Sequence, residues 1–530
     1  MTLPVKQFKF GDDARATLLA GMKVVKDVVS STMGAQGRYT LFRYGPRASV
    51  STKDGYMSAR QIYLENPFED MGAYHLLEAM FKTTRTSGDG TTLTCLLTYE
   101  IFKGALKYIV AGANPVFVKK GIELAIKDII GQIKLMVRPI ESSKDLRNIA
   151  RVSLNGDDEI AGLIQEAIDT VGENGAVTCR ESKDKDNRLE LISGMTYKEG
   201  YEAPDFINNV GNRSWTADNP YIFCYKGEIH TGEDITGIIS QVLQENRPLL
   251  MVCHEVETEI VRNIISTKFK YGLNACLITT PGQAIGHNRD DILEDIAIYT
   301  NSDVFSEFGA SAKKAIIPNL GSARRIIVKE METTIIDGAG TKEAVEARIQ
   351  AIETDLAETD EESEKERLTV RKARLSSGVA IIHIGAVTTT ELSEKKDRVE
   401  DALQAVHAAK AEGTVPGGGI ALLNCRADNQ PVYNEDVKYG YDLVFNIKKS
   451  AIFTILENAG IEDPQTIITK CLNNPGSGYD VSEMKEVEDM EASGIIDPAK
   501  VVRVALENAA SEAGILLLTE SIICNKEKTD

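Results

Sequence analysis

The chain has 530 residues, 42% of them hydrophobic and 26% charged, with a formal net charge of −19 and a pI near 5.0. At roughly 150 residues per domain this length predicts about three domains, each able to bury a core, and the composition excludes disordered and fibrous classes. The acidic balance repels phosphate backbones and anionic lipid, so neither nucleic acid nor a membrane is an expected partner.

No apolar run reaches the roughly 18 residues that cross a bilayer, and the charged stretch MTLPVKQFKFGDDARATLLA is unlike a signal peptide, which predicts a cytoplasmic protein. Eight cysteines fall in no CxxC or zinc-ligand spacing and read as buried free thiols. Six scattered histidines, with no HExxH, predict no His-based metal site or triad.

Leu18, Met22, Val25 and Val29 repeat at helical spacing behind Asp12 and Asp13, predicting a helix that ends near Gly34. Two strand-like runs, Tyr39 to Tyr44 and Ala48 to Thr52, flank Gly45-Pro46 and predict a hairpin. From Met57 to about Leu135 the pattern is helical, broken at Pro67, at Gly88-Asp89-Gly90 and at Asn114-Pro115. The middle changes character. LLMVC after Arg247-Pro248, a helical stretch, and Ala275 to Thr279 predict strand, helix and strand in an α/β layer. Ala323 to Val328 and Thr333 to Ile336 read as further strands, followed by one long polar helix with a solvated face from Thr341 to about Leu375. Helices return from Glu391 to Ala411 and again after Val437. The fold class is therefore α and α/β multidomain, with one domain inserted in another.

GxxxxGK[ST] is absent, so a P-loop is excluded and phosphates need another cradle. Gly88-Asp89-Gly90-Thr91-Thr92 offers one: the glycines admit an anion, the following helix presents free N–H groups, and Asp89 is placed to hold Mg²⁺. The same pentapeptide also reads as a structural loop and helix cap. Three more glycine segments lie at element boundaries: Thr32-Met33-Gly34-Ala35-Gln36-Gly37, Thr52-Lys53-Asp54-Gly55 and Val415-Pro416-Gly417-Gly418-Gly419. Arg398-Val399-Glu400-Asp401-Ala402 sits on a helix, where a carboxylate can orient a water for in-line attack on a γ-phosphate.

These segments, with Phe10-Gly11-Asp12-Asp13-Ala14-Arg15, Glu69-Asp70-Met71-Gly72-Ala73 and Thr334-Ile335-Ile336-Asp337-Gly338, resemble GroEL-type (group I) chaperonins in order and spacing over nearly the whole chain. The resemblance implies a chaperonin subunit with a mostly helical equatorial ATP-binding domain (1–135 and 412–530), a small intermediate hinge domain (136–192 and 380–411) and an inserted α/β apical client-binding domain (193–379). It implies an ATPase, converting ATP and water to ADP and phosphate, with Mg²⁺ and K⁺ as candidate ions. ATP-site positions by alignment are Thr32, Met33, Gly34, Ala35, Lys53, Gly55, Asp89, Gly90, Thr91, Thr92, Leu93, Ser153, Gly418, Asp480, Val481, Ser482 and Asp497, with Asp401 and Asp54 as catalytic acids and Asp89 on the metal. Tyr201, Phe206, Ile239, Val261 and Ile265 match positions that bind non-native client proteins. The implied assembly is a homo-oligomeric ring of seven, single or double, with a co-chaperonin as candidate partner.

The chain also departs from the family. Ala35-Gln36 replaces a usual Pro-Lys pair, Asp205 stands where a tyrosine is typical, and Thr236 and Ser266 make the apical groove more polar. Divergence on this scale resembles a virus-encoded or specialised copy, which would act in the host cytoplasm. Retained Asp54, Asp89 and Asp401 favour an ATP-dependent folding machine. Ala35-Gln36 favours the alternative, an ATP-independent holdase or assembly scaffold of the same fold. A group II chaperonin with a built-in lid ranks last, since no lid insertion is evident.

Overall fold

Strand β1 (Lys6–Phe10) leads into helix α1 (Gly11–Ser30), whose Leu18, Met22, Val25 and Val29 are all buried, as their spacing requires. The computed structural model describes residues 5–44, 48–172, 176–182, 184–209, 212–282, 288–307, 309–359, 361–376, 378–427 and 434–525. The chain divides into two compact units, one of Met1–Gln165, Cys179–Arg188 and His383–Asp530, the other of Glu166–Thr178 and Leu189–Ile382.

In the first unit, β2 (Thr40–Tyr44) and β3 (Ala48–Thr52) pair antiparallel; the Gly45-Pro46 turn lies outside the described residues. Helices α2 (Gly55–Ala59), α3 (Pro67–Ser87), α4 (Thr91–Val110) and α5 (Pro115–Met136) follow. Pro67 and Pro115 open helices instead of interrupting one, because proline suits the first helical position, where no N–H is needed. Asn66 and Asn114 cap them, accepting from Phe68 N at 3.1 Å and Val116 N at 2.9 Å. α1 and α3 touch backbone to backbone: a Cβ on Gly21 would lie 1.8 Å from the Glu69 carbonyl oxygen, and one on Gly72 2.1 Å from that of Leu18. Helices α6 (Ser143–Ser153) and α7 (Asp158–Val171) and strand β4 (Ala176–Glu181) carry the chain onward.

The second unit holds β5 (Arg188–Tyr197), β6 (Trp215–Asp218), β7 (Tyr221–Ile229), α8 (Glu233–Glu245), β8 (Leu249–Val256), α9 (Thr258–Tyr271), β9 (Ala275–Thr279), α10 (Asn288–Thr300) and β10 (Val304–Ser306). It continues through β11 (Gly321–Val328), β12 (Thr333–Gly338), α11 (Lys342–Glu358), α12 (Glu362–Ser376) and β13 (Gly378–Ile384). Strands β5, β12, β11, β7, β8 and β9 lie side by side in that order. β7, β8 and β9 are parallel, and the LLMVC run is buried throughout, as a parallel strand covered on both faces demands.

One expectation is overturned here. The stretch from Thr341 to Leu375 is two helices, and its faces are not simply solvated. Val345, Ile349, Ile352 and Leu356 of α11, and Leu368 and Leu375 of α12, pack on the same core. A straight helix of that length would span about 50 Å and carry one set away from it. α12 also buries Arg371, which donates to Asp295 through Nε at 2.8 Å and Nη2 at 2.9 Å, while Arg348 Nε donates to the same carboxylate at 2.7 Å.

The chain returns through α13 (Thr389–Glu412), β14 (Thr414–Pro416), α14 (Ile420–Asn424), α15 (Glu435–Ile447), α16 (Ser450–Asn458) and α17 (Pro464–Asn473). After β15 (Gly478–Asp480), β16 (Lys485–Val487) and β17 (Ile496–Pro498) comes α18 (Ala499–Leu517), buried on nearly every face against α3, α4 and α5. β18 (Ser521–Asn525) pairs antiparallel with β1.

Removing one member of a buried ionic group strands the others, typically at about 3–5 kcal/mol. Asp295→Ala is therefore expected to lower the urea midpoint of the second unit by that equivalent, read by fluorescence of Trp215, the only tryptophan, which is fully buried in this unit.

Candidate functional site

Five aspartates from four stretches of the first unit share one electrostatic neighbourhood. Asp54 caps α2, its Oδ1 accepting from Tyr56 N at 2.7 Å. Asp89 stands between two left-handed glycines, Gly88 (φ 78°) and Gly90 (φ 93°), where a side chain would be strained, and its Oδ1 accepts from Gly90 N at 2.5 Å. Asp397 and Asp401 lie four residues apart on α13, hence on one helix face. Asp497 of β17 accepts from the Gly418 N–H.

Each carboxyl is half-buried, enclosed by protein yet reached by solvent. Burial is the largest cause that raises all five, and repulsion from neighbouring acids adds to it for Asp89, Asp397, Asp401 and Asp497. Asp401 is raised well above the usual carboxylate range, with Asp54, Asp89, Asp397 and Glu400 contributing after burial. Asp89 is raised by burial and then Asp54, and Asp54 chiefly by burial. Asp397 is pushed up to about 7 by burial, Glu400 and Asp54, and Asp497 to about 7 by burial and Asp89. Such a group favours a cation. Among the described residues no three of these carboxylates gather within 4.8 Å. That suits Mg²⁺, which keeps waters and takes one or two carboxylates plus phosphate oxygens instead of a closed protein cage. Asp89, beside the start of α4, could hold such an ion.

The glycine segments supply the anion side. No side chain caps α4, whose N-cap is Gly90, so its first turn presents backbone N–H groups at Thr91, Thr92 and Leu93. A Cβ on Gly55 would lie 2.6 Å from Thr92 Oγ1 and 3.4 Å from Thr32 Oγ1, so the 32–37 loop, the Asp54-Gly55 turn and the start of α4 converge. Asn458 Nδ2 braces that loop, donating to Ser30 O at 2.8 Å and Met33 O at 2.9 Å, and Gly34 turns it with φ 85°. Gln36 Nε2 donates to Val481 O at 3.4 Å, and Ala35 packs in the same small apolar cluster as Val481. Asp480 shapes that rim through its own turn, accepting from Ser482 N at 2.8 Å.

Thr32, Asp54, Gly55, Asp89, Thr92, Asp401, Gly418 and Asp497 are thus brought together, and Val481 joins through Ala35 and Gln36. Two further site residues read from the sequence adjoin other contacts. Lys53 Nζ lies 4.9 Å from the Tyr39 ring centroid, and Ser153 ends α6, where the next carbonyl, of Leu154, accepts from Arg398 Nη1 at 3.1 Å. Asp397 was missed by sequence reasoning; its place one turn before Asp401 was the available signal.

In the second unit, Ile239 on α8 and Val261 and Ile265 on α9 are half-buried and pack on the core beneath. Phe206 is fully buried and Tyr201 nearly so. Both belong to the apolar core of this unit, where Tyr201 bridges to Ile278 of β9.

No helix among the described residues is long and apolar enough to cross a membrane. The model of the TCP-1/cpn60 chaperonin family matches residues 25–527. Two crystal structures of the chaperonin gp146 from bacteriophage EL of Pseudomonas aeruginosa, in the presence of ATP-BeFx, are similar over the whole chain at 20% identity. One has a TM-score of 0.68 and the other 0.63, and each alignment covers 98% of this chain and 99% of gp146. The family match spans nearly all of the chain, and with it come ATP-driven chaperone activity in general and ATPase activity as its chemical basis: the chain belongs to the TCP-1/cpn60 chaperonin family, as a divergent member with a phage-encoded structural relative.

Proposed function

We propose that the chain is one subunit of a homo-oligomeric ring that binds Mg-ATP in the cleft of the first unit, hydrolyses it, and uses the cycle to bind, release and refold non-native proteins. The observation that carries this reading is the convergence of Asp54, Asp89, Asp401 and Asp497, spread over more than 400 residues of sequence, beside the uncapped start of α4. The N–H groups of Thr91 to Leu93 bind phosphate oxygens, and Gly34, Gly55 and Gly418 allow backbone to approach them. Mg²⁺, when bound, neutralises phosphate charge. Asp401 orients the attacking water and accepts its proton, a role served by a carboxyl whose proton affinity burial and the neighbouring acids raise above the usual carboxylate range. Asp54 shares that pull on the water, and Asp397 adds negative field behind Asp401. That gp146 was crystallised in the presence of ATP-BeFx supports a nucleotide as the ligand. Ile239, Val261 and Ile265 provide the apolar surface for clients.

The holdase reading is favoured by Gln36, whose neutral side chain bonds to Val481 O and brings no positive charge to phosphate. The two readings separate in one experiment: recovery of a chemically denatured enzyme mixed with the purified chain, with and without Mg-ATP and without any co-chaperonin. ATP-dependent recovery is expected, and Asp401→Ala should abolish it, lowering kcat for ATP about 100-fold or more while leaving nucleotide affinity nearly unchanged. Suppressed aggregation that ignores ATP would instead establish the holdase.

The same cleft predicts a pH effect in protein free of nucleotide and Mg²⁺. The Asp397 carboxyl holds its proton up to about 7 in the native state but loses it near pH 4 when unfolded. The native state binds the extra proton between those values, so this group's contribution to stability falls as pH rises through them. Asp397→Asn should be more stable than the parent at pH 8, by about 1 kcal/mol after allowing for solvent in the cleft. The difference should shrink as pH falls from 7 towards 4, as thermal unfolding in EDTA at pH 8 and pH 5 would record.

A further inference from the structure

Glu228, His230 and Glu257 form a second cluster, in the other unit and independent of the nucleotide cleft. Glu228 and His230 are two residues apart at the end of β7, so strand alternation sends both side chains to one side. Gly227, in a left-handed conformation (φ 113°), lies in the irregularity of register between Tyr225 and Glu228 that aims this strand end. Glu257 follows β8, the parallel neighbour of β7, and its backbone N–H donates to Ile229 O at 3.4 Å. Glu257 is the N-cap residue of α9, yet its side chain makes no capping bond. All three groups therefore stand at the carboxyl ends of adjacent parallel strands, where α/β sheets present their ligands.

The spacing is informative. His230 Nδ1 lies 3.5 Å from Glu257 Oε1 and 3.7 Å from Glu228 Oε2, and the three donor atoms lie within 4.8 Å of one another. Both separations exceed the usual N–H···O range, about 2.7–3.2 Å. They come close to the distance of about 3.4 Å between two ligands of a tetrahedral ion with bonds near 2.1 Å. Among the described residues, neither carboxylate has another ion-pair partner. Two carboxylates so close repel, and one proton on the imidazole cannot bond well to both at these lengths.

We infer that Glu228, His230 and Glu257 form a binding site for a divalent transition-metal ion of Zn²⁺ type, with water completing the shell. One nitrogen and two carboxylate oxygens suit Zn²⁺ or Co²⁺, whereas Mg²⁺ and Ca²⁺ favour oxygen alone. The ion joins the lead-in of α8 to the N-cap of α9. Those are the two helices that carry Ile239, Val261 and Ile265, so occupancy stiffens their N-terminal ends together. Local sequence spacing gave no sign of this site, because Glu257 is brought to His230 only by strand pairing.

The test is titration of the chelator-stripped, full-length chain with Co²⁺, followed by visible absorption and by thermal unfolding. Binding of one ion per chain is expected, with ligand-field bands, no sulfur-to-cobalt charge transfer, displacement by Zn²⁺ and a rise in Tm. Both the bands and the Tm rise should be lost in His230→Ala and in Glu257→Gln, substitutions at exposed side chains that leave the core intact. Absence of uptake by the parent chain would overturn the site. Equal uptake by His230→Ala, or a spectrum dominated by charge transfer from cysteine thiolates, would overturn it as well.

Discussion

Repulsion among half-buried carboxylates is the constraint on which the first unit depends. Asp54, Asp89, the α13 pair Asp397 and Asp401, and Asp497 come from four places in the sequence, and none is held there by its own charge preference. Apolar packing keeps them together. Gly21 and Gly72 let α1 and α3 meet at backbone distance, α18 fills the space against α3 and α4, and α13 brings its acid-bearing face to the cleft. The free energy of that packing opposes the repulsion, which a cation bound there, as proposed, would relieve. On the proposed reading, ligand binding and hydrolysis act on a site that is under electrostatic stress from the outset.

The second unit handles charge in the opposite way. Asp295 is buried, but Arg371 and Arg348 meet it with short, oriented bonds, so opposite charges close the account locally. This difference separates a structural ionic group from a site. Where partners are present the burial is stable; where only like charges meet, the protein is arranged for something not its own.

Much of this was legible in the chain, for reasons that can be named. Local signals survive well: the spacing of Leu18 to Val29 produced α1, Asn-Pro pairs marked the starts of α3 and α5, and the LLMVC run became a doubly covered strand. Asp54, Asp89 and Asp401 were legible because each sits in a short segment with its own chemistry. Non-local facts were not. The fold-back between α11 and α12 depends on two apolar stripes needing one core, which a reading of polarity along a single helix does not see. The burial of Phe206 was not legible either, since exposure is set by neighbours distant in sequence. Asp397 was overlooked although helical geometry alone places it beside Asp401.

The pairing of β1 with β18 sets an order of events during synthesis. A ribosome adding about 5–20 residues per second needs roughly 25–100 s to travel the 500 or so residues that separate the two strands. Throughout that interval α1, α3 and α4 are made but lack α18, and their apolar faces wait for a partner still to be translated. The inserted unit, nearly continuous in sequence, can close first and will be finished while its host is half-built. A chain assigned to protect other proteins from exposed apolar surface thus passes through a long period of the same exposure itself.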